Sequence, residues 1–345
     1  MTAITRYKLR KLLKYALVAA AVAWVLTLFS GDEVNGLLGA WALLGLWTGI
    51  LEEFLFGRRF RSLAIPLQFA GKVLLVNLLT IALIWIAFHT DVTLLFFPTE
   101  EGFKVQEIFL MKQFYRLVLR VVVVTSVALL AVQVEELMGR RMLLGLLFGW
   151  YEKPKAEERL VLTIDLVGST AIAESLGDLK YFRFLNHTYS LMTNAVLRNA
   201  ADIHKYVGDE VIFTWRMKNG LRYGNALDLY FDIAEQIELH KDEMIAEFGL
   251  VPQYRAALHG GKVISAQIGH IKRAIDLSGD VMNSLSRILG LAKEMKKDML
   301  VSSEVLQRFP QAAERFTIGP EHIIPVKGRK REVRVHDIQR SKKVN

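Results

Sequence analysis

Residues 160–170 read LVLTIDLVGST. Leu160 to Ile164 is a short run whose one polar member is Thr163, without polar alternation, the pattern of a strand buried on both faces. It ends at Asp165, and Val167-Gly168-Ser169-Thr170 turns the chain into a helix. Working outward, 178–200 has the period of an amphipathic helix. IHKYVGDEVIFTW (203–215) holds two β-rich runs flanking Gly208–Asp209, a hairpin signal. A helix is expected over roughly 222–248, and two strands around Gly260–Gly261 within YRAALHGGKVISAQIG. RAIDL is a further strand, and GDVMNSLSRILGLAKEM opens a helix. FTIGPEHIIPVKGRKREVRVHDI closes the chain as a hairpin around Lys327–Gly328. This mixed order predicts an α+β sandwich with helices on an antiparallel sheet.

The chain ahead of this region has a different composition. Of 345 residues, 52% are hydrophobic, and the excess lies in the first 150. Four apolar runs, at 15–29, 37–56, 67–88 and 117–137, approach the roughly 17–25 residues that cross a bilayer. Charges alternate between them. Arg6, Lys8, Arg10, Lys11 and Lys14 precede run one; Asp32 and Glu33 follow it; Arg58, Arg59 and Arg61 follow run two. Asp91, Glu100, Glu101 and Glu107 dominate after run three, and Arg140 and Arg141 follow run four. The positive-inside rule then predicts an N-terminus and C-terminal domain in the cytoplasm, with four crossings of the inner (cell) membrane. No small-residue cleavage site follows run one, so an uncleaved helix is expected. Glu52, Glu53, Gln68, Lys72, Asn77, Arg116 and Arg120 lie in or beside the runs and read as anchors or helix-pairing groups ahead of a sensing role. His89 stands alone and reads as an interface residue, not a haem ligand.

The expected organisation is a four-helix transmembrane domain at 1–138, a juxtamembrane segment at 139–157, and a catalytic domain at 158–345. Within the joint, MLLGLLFGWY is amphipathic enough to lie on the membrane surface or to extend the fourth helix. The net charge of +9 is explained by lysine and arginine beside apolar runs, where anionic lipid is the partner and nucleic acid is not. The absence of cysteine excludes disulfides, thiolate metal sites and cysteine nucleophiles.

Six polar residues carry the chemistry: Asp165, Lys205, Asp209, Asp276, Asn283 and Arg287. Asp165 ends a strand and precedes a helix start, where phosphate oxygens are favoured. Asp209 sits at a hairpin tip. If strand and hairpin are neighbours the two carboxylates converge, a donor set suited to Mg²⁺, which keeps waters and takes phosphate oxygens. Asn283 and Arg287 are four apart on one helix and face the same way, able to hold a ribose and a transferring phosphoryl group. Arg255 and Lys327 add cations for outer phosphates.

Taken together, IDLVGST, KYVGDE, RAALHGG, DLSGDVMNSLSR and PVKG make the region 158–340 resemble the class III adenylate/guanylate cyclase catalytic domain. The resemblance implies a ferredoxin-like α+β fold and two Mg²⁺ (or Mn²⁺) ions held by Asp165, Asp209 and the Leu166 carbonyl. It implies Lys205 and Asp276 as purine readers, Asn283 and Arg287 as the transition-state pair, and Arg255 and Lys327 on the triphosphate. It also implies a head-to-tail homodimer with shared sites. The Lys–Asp pair favours ATP over GTP: adenine offers an acceptor at N1 and a donor at N6, and guanine reverses the pattern. Guanylate cyclase and a catalytically silent nucleotide-binding signalling domain remain as alternatives.

Overall fold

The computed structural model describes residues 2–30, 38–56, 64–89, 112–271, 273–324 and 332–341. The charge clusters at 32–33, 58–61 and 91–107, and the hairpin turn with Lys327, lie outside the described residues. The chain divides into two compact units, Met1–Leu147 and Phe148–Asn345.

The first unit is helical: α1 (Ala3–Ser30), α2 (Leu38–Leu55), α3 (Ile65–His89), α4 (Lys112–Met138) and a short α5 (Arg140–Leu147). Ala3–Phe29, Leu38–Leu55 and Val118–Met138 are long and apolar enough to cross a membrane, and Pro66–Ala82 of α3 is a shorter apolar stretch. The joint does not simply extend α4. Gly139, at φ +80°, breaks the helix, and α5 restarts behind it.

Charges gather at one end of this bundle, where α1 and α3 begin and α2 and α4 finish. Lys8 Nζ is 2.9 Å from Glu53, Lys11 Nζ is 2.7 Å from Glu136, and Lys14 pairs with Glu135. Lys72 Nζ donates to Glu52 at 2.9 Å, with both side chains buried, and the Tyr15 hydroxyl reaches the other Glu52 oxygen at 3.4 Å. The helix-pairing role expected of Glu52, Glu53 and Lys72 therefore has named partners. Further along, the Asn77 amide donates to Thr125 Oγ1 at 3.1 Å, joining α3 to α4.

In the second unit the elements run β1 (Lys155–Leu166), α6 (Ser169–Leu176), α7 (Asp178–Leu191), α8 (Thr193–Arg198), β2 (Asp202–Val207), β3 (Glu210–Arg216) and α9 (Met217–Leu221). Then come α10 (Asn225–Leu239), α11 (Lys241–Phe248), β4 (Tyr254–Ile268), β5 (Ala274–Ser278), α12 (Asp280–Glu294), β6 (Met299–Ser302), α13 (Ser303–Leu306), α14 (Ala312–Arg315), β7 (Phe316–Ile324) and β8 (Val333–Arg340). The strand order is β2-β3-β1-β4-β6-β8-β7, with β5 added to β4. Pairing is antiparallel except between β4 and β6. The helices expected over 178–200 and 222–248 are each broken, at Met192 and at His240.

Strand β1 is central because its apolar run serves two cores. Leu160, Leu162, Ile164 and Leu166 pack with Phe184, Leu227 and Ile233 on one face. Val161 packs with Val281, Leu285 and Ile288 of α12 on the other. Each such side chain contributes about 1.5–3 kcal/mol on burial, so β1 is fixed in register and Asp165 with it.

The sequence expectation of two strands around Gly260–Gly261 is corrected. β4 runs through both glycines, and its register with β1 continues as Leu160↔Gly260 and Arg159↔Gly261. The glycines do not turn the chain. A Cβ at Gly260 would stand 2.6 Å from Leu160 Cδ2, so the missing side chain makes room for the neighbouring strand.

Candidate active site

The VGST turn and the GDE turn are brought together by the β1–β3 pairing. The register places Ile164 opposite Val211, so Asp165, one residue on, approaches the β2–β3 turn that carries Asp209. Gly208 at that turn has φ +64°, a conformation that side chains other than glycine rarely adopt. Two side chains brace the turn. The Tyr189 hydroxyl of α7 donates to the Gly208 carbonyl at 2.9 Å, and the Thr163 hydroxyl of β1 donates to the Glu210 carboxylate. Tyr181, Tyr189 and Tyr254 all have phenol pKa values pushed up, chiefly by burial, with Asp209, Asp165 and, for Tyr189 and Tyr254, neighbouring phenols adding to the shift. One small group of phenols thus feels both carboxylates. Among the described residues, Tyr254 Oη is buried without a hydrogen-bond partner.

Arg255 is the register partner of Asp165, and Leu166 is that of Tyr254. Arg255 lines a cavity of about 470 Å³ with Val167, Gln253, Lys241 and Asp298. Asp165 also has a cation beside it: Lys293 Nζ, from the last turn of α12, lies 2.7 Å from Asp165 Oδ2.

A second cluster lies on the opposite hairpin strand. Lys205 Nζ donates to Asp276 Oδ1 at 3.0 Å and to Oδ2 at 3.3 Å, across β2 and β5. His204 Nε2 is 2.9 Å from the same Oδ1, and the Leu277 N–H donates to it at 2.8 Å. Neighbouring residues of a regular strand face opposite ways. Here the register jumps from Ile203↔Phe213 to Lys205↔Ile212, so His204 is the extra residue of a β-bulge. The bulge is what lets His204 and Lys205 reach one carboxylate. Burial works to raise the Asp276 pKa, but hydrogen bonds from Lys205, His204 and Leu277 outweigh it and the net shift is downward. Burial lowers the pKa of His204 against the opposing pull of Asp276.

Asn283 and Arg287 lie on α12, whose buried stripe of Val281, Ser284, Leu285, Ile288, Leu289 and Ala292 fixes its orientation. Asn283 is exposed and Arg287 half-buried. Lys293, which touches Asp165, is ten residues beyond Asn283, about 15 Å along the helix. The structure therefore brings Asp165, Leu166, Arg255 and Asp209 to one place and Lys205 with Asp276 to another. It keeps Asn283 far along α12 from the Asp165 of its own chain. Sequence reasoning missed His204, Lys293 and the three tyrosines. The bulge leaves no mark in residue type, and Lys293 meets Asp165 only through the fold.

The donors at Asp165 and Asp209 are all oxygen, as hard divalent cations require. Among the described residues no group of three or more His, Asp or Glu side chains converges, which fits an ion completing its shell with water and phosphate.

The chain resembles known proteins over its second unit. The chain is 39% identical over 199 residues to a protein of Rhizobium meliloti (strain 1021) named adenylate cyclase 2, covering 57% of this chain and 55% of that one. It is 25% identical to a protein of Anabaena cylindrica named adenylate cyclase, covering 52% of this chain and 36% of that one. The chain thus spans about half or less of these curated relatives. Among solved structures, a bacterial light-regulated adenylyl cyclase superposes with a TM-score of 0.51 at 18% identity, over 62% of this chain and 64% of that one, a likeness of fold. Residues 152–339 match the adenylate and guanylate cyclase catalytic domain, a family of nucleotide-acting domains that use divalent cations. The chain belongs to that family.

Proposed function

We propose that the chain is a membrane-anchored adenylate cyclase that converts ATP to 3′,5′-cyclic AMP and pyrophosphate in a homodimer. The observation that carries the choice of ATP is the Lys205–Asp276 pair, an ammonium donor beside a carboxylate acceptor. That pair complements N1 and N6 of adenine and mismatches guanine.

Asp165, Asp209 and the Leu166 carbonyl would hold two Mg²⁺ (or Mn²⁺) ions. Such ions would lower the pKa of the ribose 3′-hydroxyl and neutralise the phosphates. The 3′-oxygen forms a bond to the α-phosphorus, the bond to the oxygen bridging to the β-phosphorus breaks, and the hydroxyl proton passes to water. Arg255 and Lys327 hold the triphosphate tail as pyrophosphate departs. Asn283 orients the ribose, and the Arg287 guanidinium stabilises charge developing on the reacting phosphoryl group.

The dimer reading is supported by the separation along α12. A site that needs Asn283 beside Asp165 is completed by α12 of a second chain. Lys205 and Asp209, four residues apart on one hairpin, then serve opposite sites. The first unit is read as four membrane crossings with the N-terminus and catalytic domain in the cytoplasm of an inner-membrane protein, anionic lipid being the partner of those basic residues that the helices do not pair internally.

The test is an assay of purified full-length protein with ATP and GTP in parallel. Asp209→Ala is expected to abolish cyclic AMP formation, since loss of one group that stabilises the transition state costs about 10²–10³ in rate. Normal turnover of that variant sinks the metal assignment, and equal or greater turnover of GTP sinks the substrate assignment.

A further inference from the structure

We infer that His204 is a positioning residue for nucleobase recognition, which orients the Asp276 carboxylate so that Oδ2 is the oxygen presented to the exocyclic amino group of adenine. The inference rests on the reading of Lys205 and Asp276 as the purine readers.

The two oxygens of Asp276 are not equivalent. Oδ1 takes His204 Nε2 at 2.9 Å, Lys205 Nζ at 3.0 Å and the Leu277 N–H at 2.8 Å. Three donors saturate it. Oδ2 has, among the described residues, only the longer 3.3 Å contact from Lys205. A carboxylate held at one oxygen by a backbone N–H and a nearly buried imidazole cannot rotate freely about its χ2. Its second oxygen is fixed in direction, with acceptor capacity to spare.

The bulge is the device that makes this possible. Without the extra residue between Ile203 and Lys205, the strand would turn residue 204 to the opposite face from Lys205. With it, a neutral donor and a charged donor arrive from one strand at one carboxylate. Their division of work follows from exposure: the His204 side chain is 10% exposed, whereas that of Lys205 is 40% exposed. Lys205 is therefore able to swing from Asp276 to N1 of the base while His204 keeps the carboxylate in place. Because burial favours the uncharged imidazole, His204 donates a hydrogen bond without adding a second positive charge. The carboxylate keeps its full appetite for the N6 amino group.

The test uses the full-length protein in three variants. His204→Phe keeps a ring and removes the donor; His204→Gln restores an N–H near the Nε2 position. Lys205→Glu with Asp276→Cys checks the underlying reading. His204→Phe is expected to raise KM for ATP about tenfold, the cost of a lost hydrogen bond to a charged group. Its kcat should change far less, and the ATP-to-GTP ratio of kcat/KM should fall. His204→Gln should recover most of the KM and the ratio. A merely structural role would lower turnover of both nucleotides together and leave the ratio intact, and that result overturns the inference. If His204→Phe does not fold, His204→Gln alone decides: a KM and ratio more than severalfold from the unaltered chain overturn the inference, because the donor has been kept. If the Lys205 and Asp276 double variant leaves selectivity unchanged, the base-reading assignment fails and the inference with it. If that variant moves toward GTP while neither His204 variant shifts the ratio, only the inference fails.

Discussion

Lys293→Met is expected to tighten divalent cation binding in the absence of nucleotide. The substitution keeps most of the aliphatic stem and removes the ammonium that lies 2.7 Å from Asp165 Oδ2. In the proposed site a cation approaching Asp165 has to displace that ammonium first. The magnitude follows from exposure. The Lys293 side chain is 49% exposed and that of Asp165 is 14% exposed, so water screens the lysine end of the pair. Ion pairs of this kind are worth about 0.2–1 kcal/mol, which converts to a gain in affinity of about 1.4- to 5-fold. The lower exposure of the carboxylate places the effect toward the upper end of that range. The assay is titration of the full-length protein in lipid nanodiscs with Mn²⁺, following the electron paramagnetic resonance signal of the free ion. High salt should shrink the difference, because the displaced pair is partly screened already. Equal or weaker Mn²⁺ binding by the variant refutes the reasoning that lysine and metal compete for one oxygen.

Three further outcomes are expected. Folding favours neutral His204 and ionised Asp276, since both pKa values lie below their ordinary values of 6.5 and 3.8. The His204 contribution is complete above pH 6.5 and is lost as the pH falls through its lowered folded value; that of Asp276 is complete above 3.8 and is lost lower still. Denaturation midpoints measured against pH should fall in two stages, with His204→Gln removing the upper and Asp276→Asn the lower. Gly260→Ala should destabilise the second unit by about 1–3 kcal/mol through overpacking, because its Cβ meets Leu160 Cδ2 at 2.6 Å and the Arg159 carbonyl oxygen at 3.2 Å; thermal unfolding of the full chain reads this as a lower Tm. Glu52→Ala strands the buried Lys72 ammonium and should cost about 3–5 kcal/mol, read as faster proteolysis in detergent, with Glu52→Leu plus Lys72→Met recovering much of the loss.

The parts of the fold that were legible in the sequence are those set by local pattern. LVLTIDL reads as a strand because its apolar residues serve a core on each face of β1, and Gly208–Asp209 punctuates two β-rich runs because the hairpin needs a positive φ there. Asp165 and Asp209 could be placed beside such signals, and the β1–β3 register brings their two turns together; Asn283 and Arg287 were read as sharing one helix, which is α12. What escaped depends on distance along the chain. Gly260–Gly261 looks like a turn until Leu160 is seen filling the space above Gly260. The bulge at His204 is a matter of register between two strands. The contact of Lys293 with Asp165 spans more than a hundred residues and exists only after α12 has packed on β1. In the first unit the charged positions could be read but not their partners, since Lys11 draws on α2 and α4 together.

On the proposed membrane reading, that arrangement of charges bears on how the chain would enter a bilayer. Glu52 closes α2 and Lys72 opens α3, so the two halves of the buried pair stand on consecutive segments separated by one short connection. Inserted singly, each segment would drag a bare ion toward hydrocarbon at a cost of several kcal/mol. Inserted as a hairpin, they enter already neutralised. α1, with Lys8, Lys11 and Lys14, waits for Glu53 from the second segment and for Glu135 and Glu136 from the fourth. On the proposed membrane reading, Lys11 and Lys14 thus find their nearest carboxylates only when the fourth segment joins the first.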